Sequence, residues 1–454
     1  MPIQTLNPAT EEVIKTFEEL TDNQIEEKLI KAQKAFENWR QTSFEQRAEK
    51  LKKVAEILRV DAKAIGEIMT LEMGKPIKQA MAESEKCAWV CDYYADHAEK
   101  FLAPEKISTD ASESYVQFDP LGIVLAVMPW NFPFWQVLRF AAPTLMAGNV
   151  GVLKHASNVP QCAEKIEEIF TQAGFPPGVF QNFLISSGKV ESLIRDPRVK
   201  AVTLTGSEYA GSQVAKVAGE EIKKTVMELG GSDPFIILED ADVAMACAVA
   251  TTARNINNGQ SCIAAKRFIV VESVAEEFKK MFVEKFESLK IGDPLDEQTD
   301  IGPVVSKQSL EELEKQIKES VEQGAKILTG GKRVGDKGYF LQPTILTDIT
   351  KDNPIYEQEV FGPVALVITV KDEAEAIKVA NDTSFGLGAS VWTSDINKAK
   401  KIIPQIDAGA VFINGMVKSD PRLPFGGEKR SGYGRELSHY GIKEFVNVKT
   451  VWVK

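Results

Sequence analysis

No stretch of this 454-residue chain holds the ~18 consecutive apolar residues that carry a helix across a bilayer, so a membrane-spanning role is set aside. The N-terminus, Met1-Pro2-Ile3-Gln4-Thr5-Leu6-Asn7, lacks a basic region followed by a long apolar one, the pattern of a secretory signal; the expectation is a cytoplasmic protein. Cysteine is scarce. The five present, Cys87, Cys91, Cys162, Cys247 and Cys262, show no paired metal-ligand spacing, and their odd number argues for free thiols over a disulfide framework. No residue is assigned to a metal. Positive charge is also short: the net charge of −11 disfavours a nucleic-acid backbone as partner, leaving room only for a small anion in a local basic pocket. Internal repeats and low-complexity segments are absent.

What is present fits a large soluble α/β protein. The length exceeds one ordinary core, and 44% apolar with 26% charged residues is a common globular balance. The first hundred residues read as helical, with Ile25, Leu29, Ala32, Phe36 and Trp39 on one face and Thr21 with Gln24 as a capping box. From Asp119, short apolar runs (122–128, 150–153, 179–185, 201–204, 234–238) alternate with helical patterns, the signature of a doubly wound parallel sheet. A second series (268–271, 364–370, 389–392, 410–414) predicts a second α/β domain, with the boundary near Gly230-Gly231-Ser232. Two alternating stretches, 114–118 and 445–453, read as strands outside both sheets, with spare edges suited to subunit pairing.

Cys262 is the leading candidate nucleophile. It follows Asn257-Asn258-Gly259-Gln260-Ser261, small and amide residues that leave a thiol accessible, whereas Cys247 sits in the aliphatic run Ala244 to Val249 like a structural cysteine. The Rossmann glycine fingerprint is missing. Thr205-Gly206-Ser207-Glu208-Tyr209-Ala210-Gly211 nevertheless follows a strand and opens a helix, a place where free helix amides can hold a pyrophosphate or where the chain merely turns. It is not a P-loop, since Ser212 stands where the lysine is required.

Three further segments, Pro129-Trp130-Asn131-Phe132-Pro133, Met227-Glu228-Leu229-Gly230-Gly231 and Glu357-Gln358-Glu359-Val360-Phe361-Gly362-Pro363, join Gly259-Gln260-Ser261-Cys262 in an order and spacing that resemble the NAD(P)-dependent aldehyde dehydrogenase superfamily. The resemblance runs from Asn7-Pro8-Ala9-Thr10 to Pro424-Phe425-Gly426-Gly427. It implies a cofactor domain (residues 1–102 and 119–229), a catalytic domain (230–430), bridging strands (103–118 and 440–454) and a homodimer or homotetramer. It implies Cys262 as the nucleophile that forms a thiohemiacetal and then a thioester, Asn131 with the Cys262 amide as oxyanion donors, and Glu228 as the base for hydrolytic water. Apolar neighbours Val226, Met227 and Leu229 raise the Glu228 pKa toward a useful range. Glu359 is expected on the nicotinamide ribose, Phe361 against the ring, and Trp130, Gly206, Ser207 and Leu229 around the cofactor.

Lys154-His155-Ala156-Ser157 bears on cofactor choice. NAD-preferring relatives commonly carry glutamate at the position of Ser157; serine here removes repulsion against a 2′-phosphate and Lys154 adds a cation, so NADP is preferred and NAD possible. His155 reads as structural. Along the helix after Asn131, Trp135 and Arg139 share nearly one face of the aldehyde tunnel, with Ser261 and Ser419 also on the substrate side. Arginine at position 139 points to a substrate with a distal carboxylate, and the overall pattern is similar to succinate-semialdehyde dehydrogenases. The alternatives are a broad enzyme for uncharged aldehydes, with Arg139 in an internal ion pair, and a non-catalytic relative that only binds.

Overall fold

A computed structural model describes residues 3–454, so Met1 and Pro2 of the N-terminal segment lie outside the described residues. Apolar periodicity decides most of the chain. The helix Asp22–Trp39 buries Ile25, Leu29, Ala32, Phe36 and Trp39 along one face and starts with Thr21 and Gln24 capping each other's backbone. Before it lies a hairpin, Ile3–Leu6 with Val13–Phe17, that the helical reading of the first hundred residues passes over. Its strands are short and mostly exposed, so they carry little apolar signal.

The first sheet has six strands in the order Gly432–Tyr433, Lys224–Glu228, Val199–Thr205, Ile123–Met128, Val150–His155, Phe180–Asn182. All but the first are parallel. Ile123–Met128 has the next strand in sequence, Val150–His155, on one side and the later Val199–Thr205 on the other. Strand order therefore reverses there, and the loops leaving Met128 and Thr205 open a crevice at the carboxyl edge. Asn131 sits in one loop, Gly206 and Ser207 in the other.

The second sheet has seven strands, ordered Lys326–Thr329, Thr344–Thr347, Val364–Val370, Arg267–Val271, Pro234–Ile237, Gly388–Trp392, Ala410–Ile413. Its central strands are continuous apolar runs because both faces are covered. Ile236, Ile269 and Leu366 enter one core while Phe235, Phe268 and Val367, one residue away on each strand, enter the other. The stretches expected outside both sheets pair with each other: Glu113–Pro120 lies antiparallel to Val446–Val453 and to Glu105–Lys106 in a third sheet. No helix among the described residues is long and apolar enough to cross a membrane.

Candidate active site

Cys262 lies in the loop between the helix Val243–Asn255 and the strand Arg267–Val271. That loop is wound tightly. Asn257, Asn258 and Gly259 take successive left-handed conformations (φ 55, 57 and 76°), and a Cβ on Gly259 would stand 2.2 Å from the Gly362 carbonyl, so only glycine fits. Asn257 Nδ2 donates to the Asn131 and Gln260 carbonyls at 2.6 and 3.0 Å, tying the cysteine loop to the crevice loop. Beneath it, the fully buried Lys266 donates to the carbonyls of Ser261 (2.9 Å), Cys262 (2.8 Å) and Ala264 (3.2 Å).

A cavity of about 220 Å³ gathers Trp130, Asn131, Gly206, Ser207, Leu229, Cys262, Glu359 and Phe361. Asn131 Nδ2 donates one hydrogen to the Gln260 carbonyl at 3.0 Å, and its Oδ1 accepts from Gln136 Nε2 at 2.9 Å. These two bonds fix which way the carboxamide faces and leave its second N–H for the cavity. The backbone N–H of Cys262 donates no hydrogen bond among the described residues. Two unengaged donors thus flank the thiol, the requirement for an oxyanion site. The Cys262 thiol is pushed up to about 12 by burial, while the nearby Lys266 and Arg139 charges pull it down. At neutral pH it rests as the thiol.

Glu228 ends its strand beside Leu229, which lines this cavity, while Glu228 itself is not among the lining residues. Both oxygens are buried without a hydrogen bond among the described residues, and a Cβ on Gly426 would stand 2.7 Å from Oε1. Burial first, then the Glu436 charge, raise the Glu228 pKa well above its ordinary value and favour the protonated form.

A wider cleft of about 590 Å³ continues outward from Ser207, Glu359 and Phe361 past Gln316 and Phe385. Ser207 caps the helix Glu208–Glu220, its Oγ accepting from Ala210 N at 3.3 Å, which leaves the helix N-terminus facing the cleft. The Glu359 carboxylate accepts from Gly231 N at 3.1 Å and lies 3.6 Å from Lys266. Phe361 meets Trp130 edge-on, centroids 5.8 Å apart. Lys154 and Ser157 lie beyond the lining of either space, at the end of the strand Val150–His155 next to Ile123–Met128. Lys154 is buried with no carboxylate partner among the described residues, and burial lowers its pKa; Ser157 is exposed.

The expected substrate residues are scattered. Arg139 does not reach the tunnel as a free cation: its Nε stands 2.5 Å from Glu436 Oε2, its Nη2 donates to Thr205 Oγ1 at 3.3 Å, and its guanidinium lies 4.7 Å from the Phe425 ring centroid. Arg139 and Glu436 are both buried, so the guanidinium neutralises a carboxylate with no other ion-pair partner among the described residues. Ser261 is also corrected, since it is fully enclosed and lines neither cavity. Trp135 faces a separate cavity with Lys86, and Ser419 Oγ accepts from Lys86 Nζ at 2.7 Å.

The aldehyde dehydrogenase family model matches residues 1–451. The chain belongs to the aldehyde dehydrogenase family. It is similar, at 55% identity over 453 residues and the full length of both chains, to the "Probable succinate-semialdehyde dehydrogenase (NADP(+))" of Synechocystis. The NADP(+) succinate-semialdehyde dehydrogenase 1 of Mycobacterium tuberculosis is 53% identical over 456 residues, again with full coverage of both. A crystal structure of succinic semialdehyde dehydrogenase from Streptococcus pyogenes in complex with NADP+ superposes with a TM-score of 0.98, at 43% identity and 99% coverage of each chain. Within this aldehyde dehydrogenase, Gln136, Lys266, Glu436 and Lys86 escape sequence reasoning. Gln136 follows Trp135 by one residue and Lys266 follows Cys262 by four, but Glu436 is far from Arg139 in sequence and gives no local signal.

Proposed function

We propose that this chain oxidises succinate semialdehyde to succinate with NADP+. The observation that carries the reading is the single cavity in which Cys262, two unengaged N–H donors, Ser207, Glu359 and Phe361 converge. Lys154 without a counterion, Ser157 without a carboxylate and the Ser207 helix N-terminus suit a phosphorylated dinucleotide, and NADP(+) is the cofactor of the named relatives. Bound NADP+ supplies the hydride acceptor.

The chain's own residues do the rest. Cys262 gives up its proton to solvent water and attacks the aldehyde carbon; Lys266 and Arg139 lower the cost of the thiolate. The second Asn131 N–H and the Cys262 N–H receive the oxyanion of the thiohemiacetal. Loss of hydride from that carbon leaves a thioester on Cys262. Glu228, once ionised, removes a proton from the water that hydrolyses it. The exposed edge of Val446–Val453, with Val448 and Trp452 half or more exposed, supports a dimer or tetramer, and five free cysteines suit a reducing cytoplasm.

Initial rates with succinate semialdehyde and with butanal, each with NADP+ and NAD+, test this. The expected order puts succinate semialdehyde with NADP+ first. Equal rates with both aldehydes would overturn the substrate assignment. That outcome is the second reading, an enzyme for uncharged aldehydes, which the engagement of Arg139 by Glu436 favours.

A further inference from the structure

The two loops that form the oxyanion site are both tied to a third segment, residues 74–83, that lines neither the thiol cavity nor the cofactor cleft. This segment leads from the helix Ala62–Met73 into the helix Ile77–Phe101. Its first part holds the cysteine loop: the Gly74 carbonyl accepts from Asn258 Nδ2 at 2.9 Å, and Gln79 Oε1 accepts from Asn257 N at 2.7 Å. Its last residue, Glu83, holds the Asn131 loop. Glu83 Oε1 accepts from Phe134 N and Trp135 N, each at 2.9 Å, where the helix Trp135–Met146 begins without a side-chain cap of its own.

The other Glu83 oxygen accepts from the Lys75 ammonium, which stands 4.0 Å from the Phe132 ring centroid. Both charged groups are buried, so solvent screens neither. The ion pair therefore grips Phe132, Phe134 and Trp135, the residues directly after the oxyanion donor. Gln136 comes next, and its Nε2 sets the Asn131 carboxamide by donating to Oδ1 at 2.9 Å. A carboxylate is a strong acceptor for two amides at once, but left bare it would oppose a thiolate and an oxyanion forming nearby. Lys75 cancels that charge. Packing alone does not call for the arrangement, since apolar residues of similar volume fill a buried site as well or better than an ion pair.

Resting on the reading of Asn131 as an oxyanion donor, we infer that Glu83, neutralised by Lys75, is a positioning residue for the reaction. Its two amide bonds fix the start of the helix Trp135–Met146 and, through Gln136, the direction of the free Asn131 N–H. Glu83 itself touches no reacting atom.

The test is the rate of the first turnover, read as NADPH formed after rapid mixing with NADP+ and succinate semialdehyde, in wild type, Asn131→Ala, Lys75→Met/Glu83→Leu and Lys75→Met/Glu83→Gln. Both double variants remove the two buried charges, and only glutamine keeps an oxygen that accepts from Phe134 N and Trp135 N. The leucine variant loses about ten- to a hundredfold in this rate, the scale of a reacting group misplaced by about 1 Å. Its NADP+ affinity and the alkylation of Cys262 by iodoacetamide, which need no oxyanion site, stay close to wild type. The glutamine variant recovers most of the rate. Equal first-turnover rates in the leucine and glutamine variants, or a loss in the leucine variant matched by losses in NADP+ affinity and alkylation, overturn the inference. Asn131→Ala separates it from the reading beneath: loss of an oxyanion donor costs about a hundred- to a thousandfold, and an unchanged rate there overturns both. A loss in Asn131→Ala beside an intact leucine variant overturns the Glu83 inference alone. Should the leucine variant not bind NADP+, Lys75→Met/Glu83→Met takes its place in the comparison, with the same outcomes.

Discussion

Replacing Arg139 with methionine separates a structural cation from a substrate-binding one. The substitution keeps much of the side-chain volume but removes the cation paired with Glu436 among the described residues, leaving Glu436 and Glu228 buried together with only Arg435 acting on Glu228. Breaking one partner from a buried ion pair costs about 3–5 kcal/mol, and neither group is exposed enough for solvent to soften that figure. At about 2 °C per kcal/mol for a large domain, the melting temperature drops by roughly 6–10 °C. The deficit depends on pH in a definite direction. Burial already raises the Glu436 pKa, and loss of Arg139 raises it further, so the folded state holds a proton that the unfolded state releases. Stability of the variant therefore falls as pH climbs above the unfolded carboxylate pKa. Differential scanning calorimetry at mildly acidic and mildly alkaline pH reads this as a gap from wild type that widens toward alkaline pH. The double variant Arg139→Met/Glu436→Leu, which removes both charges, recovers most of the loss. A melting temperature equal to wild type, joined to activity lost only on the acid substrate, would refute the reasoning and return Arg139 to the tunnel.

Three other outcomes are expected. Glu228→Gln, lacking the base for hydrolysis, releases a burst of reduced cofactor of about one equivalent per site and then stalls; absence of the burst in a rapid-mixing trace moves Glu228 to an earlier step. Ser157→Glu places a carboxylate where the 2′-phosphate is expected and raises KM for NADP+ while sparing NAD+, so parallel changes in both, measured by steady-state kinetics, count against Ser157 as the permissive residue. Alkylation of the free enzyme by iodoacetamide, followed by mass spectrometry, falls on Cys262 and accelerates about tenfold per pH unit through the neutral range, because the thiolate is the reactive form of a thiol held near 12. A rate that levels off near neutrality shows a thiolate already present.

Hydrophobic periodicity makes the parallel cores of the two sheets legible, because continuous apolar runs and amphipathic helices report burial directly. Lys224–Glu228 and Thr344–Thr347 are harder to see: the first carries polar residues at its start, and the second has only two apolar residues, between threonines. The site was legible where chemistry sits in short motifs, and the loops bearing Asn131, Ser207 and Cys262 do meet at the strand-order reversal. Its electrostatics were not legible. Arg139 reads as a tunnel cation from its spacing to Asn131, and only the tertiary fold reveals Glu436 at 2.5 Å from its Nε. Lys86 lies in a helix whose pattern speaks of packing, and nothing local connects it to Ser419, with which it hydrogen-bonds at 2.7 Å.

In the proposed mechanism the charge balance also orders the steps. The Cys262 thiolate and the Glu228 carboxylate both draw on Arg139, whose charge is already shared with Glu436. Holding both anions at once places three negative groups around Arg139 in a buried site, with Lys266 acting besides on the thiolate and Arg435 on Glu228, so the two ionisations compete for the charge of Arg139. Attack on the aldehyde turns the thiolate into a thioester sulfur and removes one of those charges. Glu228 is then easier to ionise, at the stage where hydrolytic water needs a base. Acylation with a neutral glutamate and hydrolysis with an ionised one follow from that arrangement, and they leave the free thiol protonated between turnovers.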